Sequence, residues 1–419
     1  MRLTLLAVLI LGLKTVISLV LAFLNRKAVK AKALNPPEAA AAVMDQETYA
    51  KSVRYTLVKS YYESITDCVD AIVLSVVLLT GLLPSIYSFV VPQALENSAL
   101  RGALFITLTG LLLSLISLPF DFYHQFKIEA DFGFNTSSVK LWASDKLKGL
   151  ALTLIIGIPL LTGILSLVNV VGPNWWIWGF CLLFVFQLIM LVINPILIMP
   201  LFNKLSPLPE GSLKARLFAL SDRTGFKAKT IQVMDGSKRS AHSNAFFTGF
   251  GRFRRIVLFD TLIAQLSEEE LEAVLAHEIG HYRLGHIPKS LVLSFLGTAL
   301  SFLTIAWLCN TTWFNPAFGF KSGQLAASFL LVGLLGGLVT FWISPLFNLL
   351  SRKHEYEADH FAKKAMGGAE AMIQALRKLS SKNLSNLTPH PWYSGFYYSH
   401  PTLVEREKSL LSKYVIKKI

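Results

Sequence analysis

Charge is scarce in this chain of 419 residues: only 16% of positions are Asp, Glu, Lys or Arg, against roughly a quarter in soluble globular domains. A hydrophobic share of 53% and a mean hydropathy of +0.51 accompany the deficit. Much of the chain must face something other than water, which excludes a wholly soluble fold. Acids are scarcer still, 26 against 40 Lys and Arg, for a net charge of +14. In a soluble protein that excess would point to nucleic acid. Here no basic–aromatic binding module accompanies it, and cytoplasmic loops of membrane proteins collect cations in the same way. Nucleic acid is therefore not expected as a partner. Cysteine is nearly absent. Cys68, Cys181 and Cys309 lie far apart in or beside apolar stretches with no Cys-x-x-Cys pair, which argues against a disulfide framework or a thiolate metal site.

What the chain has in abundance is apolar length. A helix needs about 20 mainly apolar residues to cross a bilayer, and seven stretches qualify: 3–24, 71–91, 103–120, 150–171, 175–197, 291–309 and 325–350. The tight Gly172-Pro173-Asn174 turn makes the fourth and fifth a hairpin through the bilayer. A signal peptide is the other reading of the first stretch, but Lys14 interrupts it and no small-x-small cleavage site follows. With the N-terminus outside, outer segments carry only Arg2, Arg101 and Lys321. Inner ones collect Arg26, Lys27, Lys30, Lys32, Lys51, Arg54 and Lys59 after the first span, and Lys127, Lys140, Lys146 and Lys148 after the third. The positive-inside rule then puts the long inner segments and the C-terminus at the cytoplasmic face.

Two of those inner segments are long enough to fold. Ile231-Gln-Val-Met and Arg254-Arg-Ile-Val-Leu-Phe read as strands. Ser267-Glu-Glu-Glu-Leu opens a helix, with Ser267 as N-cap, Glu270 completing a capping box and acids at the positive helix end. Residues 351–419 read as helices broken by a Pro- and aromatic-rich loop from Pro389 to Pro401.

The capped helix carries His277-Glu278-Ile279-Gly280-His281. Residues four apart share a helix face, with Cβ atoms about 5–6 Å apart, so His277 and His281 converge on one ion in the HExxH pattern. Glu278, one position round, is poised toward the open coordination position, where a carboxylate takes a proton from zinc-bound water of pKa about 7. The bare motif also arises by chance, as a polar face with two unrelated histidines; the flanking Leu271, Val274, Leu275 and Ile279 favour a partly buried helix instead. Catalytic zinc takes a third protein ligand. Glu355, in Ser351-Arg-Lys-His-Glu-Tyr-Glu-Ala-Asp359, supplies it, and Asp359 one turn on is placed to orient a ligand from behind. Without the HExxH helix the same segment would read as a solvated, charge-alternating helix.

With Ser351-Arg352, Glu355 and Ala358-Asp359, the His277–His281 motif resembles the gluzincin membrane peptidases, specifically type I CAAX prenyl endopeptidases. Pro200-Leu-Phe-Asn-Lys, the long Asp235 to Gly249 stretch and His400-Pro401 followed by Glu405-Arg406 also look like that family's signatures. The likeness covers nearly the whole chain. It implies one zinc ion per chain held by His277, His281 and Glu355, with Glu278 as general base. It further implies that Asn244, Ala245, Phe246 and Gly249 belong to an edge strand pairing with substrate backbone. His400 and Arg406 match positions proposed to contact substrate or the developing oxyanion. Two departures bear on substrate preference: Thr402 stands where the family often has Pro, and its usual paired acids after the third span appear as Glu129-Ala130-Asp131. His286 and His354 flank the ligands, yet as further ligands they would close the open position. His242 is a weaker functional candidate, while His124, His360 and His390 read as structural or surface residues.

The expected fold is thus an α-helical integral membrane protein with seven transmembrane helices and a small α+β HExxH zinc metalloprotease domain. Spans one to five would occupy 1–199, the protease domain 200–288, spans six and seven 289–350, and a helical part completing the site 351–419. The expected partners are the lipid bilayer and a peptide or protein substrate, prenylated or similar. One alternative is a quality-control protease of the HtpX type, with about four spans. Another is a transporter or scaffold with a vestigial metal site, which would normally have lost the base or a histidine. A site-2-type intramembrane protease fits poorly with the polar Glu268 to Glu272 lead-in.

Overall fold

The computed structural model describes residues 2–92, 98–226, 230–248 and 255–412. Its first half is helical: α1 (Arg2–Ala31), α2 (Gln46–Leu79), α3 (Leu82–Val90), α4 (Ala99–Tyr123), α5 (Ile158–Val171) and α6 (Trp175–Ile193). Asp45 caps α2 by accepting from the Thr48 N–H, and a bend of 64° separates α2 from α3. The stretch Val139–Phe202 is helical almost throughout, but Gly172 at φ 64° turns the chain back, a backbone setting that costs glycine little. Ideal Cβ positions at Gly179 and Gly163 fall 3.5 Å from Ile164 and 3.6 Å from Leu182. These pairs are nearly symmetric about the turn, so α5 and α6 run antiparallel.

The second half opens with β1 (Leu205–Pro207), α7 (Ser212–Arg223), β2 (Thr230–Met234), β3 (Ala245–Thr248), β4 (Arg255–Phe259) and α8 (Glu268–Arg283). The sheet order is β1-β2-β4-β3, with β2 and β4 parallel and the outer pairs antiparallel. The capping box expected at Ser267 and Glu270 is present. A short helix, Asp260–Gln265, joins β4 to it. Beyond lie α9 (His286–Cys309), α10 (Leu325–Met366), α11 (Glu370–Lys382), α12 (Pro391–Tyr397) and α13 (Leu403–Leu411). Both the 288/289 and the 350/351 divisions fall inside helices, α9 and α10, that run through them unbroken.

Among the described residues, five helices are long and apolar enough to cross a membrane, and six when α2 and α3 are taken as one bent span. Leu9, Val16, Ile155, Leu300, Val339 and Leu346 stand exposed on their outer faces, as lipid contact requires. The protein is a multi-pass helical membrane protein.

The core beneath the sheet joins Leu217, Leu220, Ile256, Leu258, Leu271, Leu275 and Ile279 to Ala362 of α10 and Ala375 of α11. Buried Glu272 binds α7 to α8 by ion pairs to Arg216 and to Arg223, the latter at 2.7 Å. Where α8 crosses α10 the side chains are small: Ala276, Ala358 and Ala362 are all 0% exposed. A Cβ at Gly280 would lie 3.1 Å from the Ala358 Cα and 3.2 Å from its carbonyl oxygen. The helices therefore meet backbone to backbone, fixing the register of His277 and His281 against Glu355 and Asp359.

Three cavities of about 430, 490 and 420 Å³ share walls. The first, beside Lys14, Ser18 and Asp67, shares Glu63 and Tyr393 with the second, which reaches Glu129 and His242. The second shares Tyr398 with the third, which reaches His400. A polar interior thus runs up to the sheet.

Because the Gly280 contact is with backbone, Gly280→Val is expected to cost about 1–3 kcal/mol. It should lower the thermal midpoint in detergent and the zinc content together. A fully zinc-loaded Val variant of unchanged midpoint would show that this crossing does not set the register.

Candidate metal centre

α8 and α10 bring three donor groups together. His277 Nε2 and His281 Nε2 are 3.1 Å apart, near the roughly 3.3 Å that two tetrahedral ligands about 2.0 Å from zinc would show. Glu355 closes the triangle, Oε1 lying 3.2 Å from His281 Nε2 and Oε2 3.4 Å from His277 Nε2. Glu355 Oε2 is buried and has no hydrogen-bond donor among the described residues. Two converging imidazole nitrogens and an orphaned carboxylate oxygen are the donor set of a gluzincin-type zinc site. These residues fit a zinc ion.

Each ligand is held from behind. His277 Nδ1 lies 2.8 Å from Asp359 Oδ1. Asp359 in turn takes two charge-assisted hydrogen bonds from Arg406, Nε to Oδ2 at 2.8 Å and Nη2 to Oδ1 at 2.5 Å. Burial raises the cost of the Asp359 charge, but Arg406 and His277 outweigh it and its carboxyl sits below the usual range. Arg406 is itself buried, its Nη1 3.5 Å from Glu355. Its guanidinium thus bridges Asp359 and Glu355. Thr402, at the departure from the family pattern, is the N-cap of α13: its hydroxyl accepts from the Glu405 N–H while Glu405 accepts from the Thr402 N–H at 2.8 Å. That cap sets the helix start from which Arg406 reaches Asp359.

Sequence reasoning missed the support behind His281. Its Nδ1 is 3.0 Å from His286 Nδ1, and His286 Nε2 is 2.9 Å from Glu357. One proton serves the paired Nδ1 atoms. Metal binding through His281 Nε2 puts it on His281, so His286 accepts and donates its own Nε2–H to Glu357. His286, His354 and Glu357 form a second group with ligand-type atoms close together. The His286 and His354 rings, however, stack at 4.0 Å and 11°, and parallel rings do not aim their in-plane lone pairs at one ion. The signal in the sequence was a histidine five beyond His281 and an acid two beyond Glu355.

Glu278 is half-buried and makes no hydrogen bond among the described residues, leaving its carboxylate available. Burial pushes its carboxyl above the usual range, with His277 and His281 pulling the other way. His400 faces the ligands from the opposite side, Nε2 3.4 Å from Glu355 Oε1, and its side chain is 63% accessible because it borders the third cavity. Burial holds it below the usual imidazole range, against the pull of Glu355.

β3 forms an edge of the sheet and packs beside α8, Ala245 joining the core of Leu275 and Ile279. The Asn244 carbonyl accepts from the Phe259 N–H at 3.1 Å, starting the ladder that continues through Ala245 and Phe246. Gly249 lies outside the described residues. The chain entering β3 is clamped by His242, whose ring stacks on Phe134 at 4.0 Å and reaches Glu129 Oε2 at 3.0 Å and Asn383 Oδ1 at 3.1 Å. Glu129 also accepts from Tyr55 at 2.6 Å, whereas Asp131 is exposed and pairs with Lys127. Of the Glu129 and Asp131 pair, Glu129 is the one that joins the site's surroundings. Arg239 adds a second clamp, donating to both oxygens of Asp145 at 2.8 and 3.1 Å.

Comparison with known proteins finds relatives over both halves of the chain. A family model described as CAAX prenyl protease N-terminal, five membrane helices, matches residues 25–204, and one described as peptidase family M48 matches residues 207–413. CAAX prenyl protease 1 of Saccharomyces cerevisiae is 37% identical, over 88% of this chain and 86% of its own. The CAAX prenyl protease 1 homolog of Arabidopsis thaliana is 36% identical, over 89% and 90%; that of Homo sapiens is 31% identical, over 92% and 90%. The crystal structure of Ste24p from S. mikatae superposes with a TM-score of 0.88 at 34% identity, covering 97% of this chain and 99% of that one.

Two measurements follow from the donor geometry. His286→Ala removes the acceptor for the His281 N–H and is expected to weaken zinc binding about 10–100-fold in chelator competition; unchanged affinity would refute the support assigned to it. In the metal-free protein burial disfavours the His277 cation, but Asp359 and Glu355 prevail and push it up to about 9. Zinc must displace that proton, so affinity should rise with pH and level off above about 9. An affinity flat with pH below that point would contradict the coupling.

Proposed function

Since the chain belongs to the CAAX prenyl protease 1 family of membrane metallopeptidases, we propose that it removes the C-terminal residues of prenylated or similar peptides at the centre formed by His277, His281 and Glu355. The observation that carries this reading is the convergence of the two Nε2 atoms, 3.1 Å apart, on a buried, unsatisfied Glu355 oxygen. Matches to both the membrane half and the peptidase half favour it over a quality-control protease or a vestigial scaffold.

Bound zinc would acidify its water and polarise a scissile carbonyl. Glu278 is the residue that would accept a proton from the attacking water and hand it to the leaving amine; its raised proton affinity suits both transfers. With the Ser399 hydroxyl, 3.0 Å from His400 Nδ1, as donor there, the Nε2–H would be left to face the developing oxyanion. Asp359 holds the His277 ring, and Arg406, through Asp359 and Glu355, would position the centre beside the substrate it was expected to contact. Asn244, Ala245, Phe246 and Gly249 would offer the free edge of β3 to an extended peptide, main chain to main chain.

For the membrane part we propose seven spans. The reading counts α2–α3 as one bent span and divides the Val139–Phe202 stretch at Gly172 into two, which adds two to the five long helices. The N-terminus would lie outside, with 200–288, 351–419 and the metal centre at the cytoplasmic face, as the distribution of Lys and Arg supports. One zinc per chain is the reading that the His277, His281 and Glu355 triangle supports among the described residues.

Zinc-loaded Glu278→Gln should lose activity on a farnesylated CAAX peptide by on the order of 10²–10⁴-fold. Retained cleavage with zinc bound would sink the mechanism. An unprenylated control cleaved equally well would argue against prenyl selectivity alone.

A further inference from the structure

The third cavity, of about 420 Å³, has a charge arrangement that the peptidase chemistry leaves unexplained. It opens on His400, which borders the metal centre, and its walls bear two cations, Arg352 and Lys32, against one acid, Glu405. Glu405 is already committed, its Oε2 accepting both the N–H and the O–H of Thr402 at 2.8 Å. Arg352 Nη1 donates to the Tyr398 carbonyl at 2.5 Å, while neither Arg352 nor Lys32 has an ion-pair partner among the described residues. A half-buried guanidinium with free N–H groups is costly to leave without an anion and is shaped for a carboxylate.

We propose that this cavity is a carboxylate-binding subsite that takes the free C-terminus of the substrate on Arg352 and Lys32. The idea rests on the peptidase reading above. Arg352 precedes Glu355 by one helical turn of α10, about 5 Å along the axis, so the anchor and the metal ligand share a face. A CAAX end leaves three residues beyond the prenylated cysteine, and three extended residues span about 10 Å, a length suited to reaching from the centre past His400 into the cavity. Leu387, Pro389 and Val404 supply apolar wall for their side chains. The subsite would act as a ruler, registering cleavage from the chain end while the edge of β3 reads no sequence.

The test uses the full-length, zinc-loaded protein in detergent and a farnesylated CAAX peptide made as the free acid and as the carboxamide. Wild type should show a KM about tenfold lower for the acid, the scale of one charged hydrogen bond. Arg352→Gln and, separately, the exposed Lys32→Gln should shrink that ratio by raising KM for the acid, with kcat moving less. Equal KM values for acid and amide in wild type would overturn the proposal. So would variants that weaken both peptides in parallel. If neither peptide is cleaved, the activity reading fails by itself. Fluorescence anisotropy of the same two peptides on zinc-loaded Glu278→Gln then decides the subsite: an acid preference lost in the added Arg352→Gln supports it, and no preference refutes it.

Discussion

Everything at the metal centre depends on how closely α8 and α10 approach at Gly280. Two helices whose backbones touch have few registers open to them, because each small residue must face the other helix's main chain. Ala276 and Gly280 on one side, with Ala358 and Ala362 on the other, leave little room for another fit. That fit faces His277 and His281 to Glu355 and Asp359, and every other polar contact is arranged around it. A larger side chain at the crossing would separate ligands that no flexible linker could bring back.

The polar groups around the centre are tolerated because each meets a partner in chain: Arg406 with Asp359, Asp359 with His277, Glu357 with His286, His286 with His281. Isolated, the buried ones would carry the cost of an unpaired polar or charged group. Linked, they orient both imidazoles before any metal arrives. The membrane half takes part through the same chemistry, since Glu129 and Tyr55 secure His242 at the entrance to β3. The edge strand is thereby tied to the helices that enclose the interior cavities.

The features legible in the sequence are those with local causes. The Ser267 cap, the i, i+4 histidines and the strands at 231–234 and 255–259 depend on neighbours within a few residues, and they lie where the pattern puts them. Glu355 was within reach because a half-site of two histidines asks for a carboxylate. The inward turn of Arg406 was not, since it depends on where α13 docks, a contact 47 residues away from Asp359. The His286–Glu357 support was passed over because a second pair of histidines near a zinc motif reads first as surplus ligands. Hydropathy alone marks out apolar runs, but whether a run makes one crossing or two depends on a single glycine dihedral such as that of Gly172.

α10 is a single helix of 42 residues that carries both an apolar stretch and the Glu355 donor. The apolar run ends near Leu350, so the carboxylate stands about 8 Å further along the axis at 1.5 Å per residue. No loop intervenes to vary that interval. On the seven-span reading the metal centre would therefore have an altitude, a height above the lipid surface built into the length of one rod. A chain end moored in the bilayer by its own hydrocarbon would be presented at a height set by the same surface, so the membrane would serve as the common datum for both.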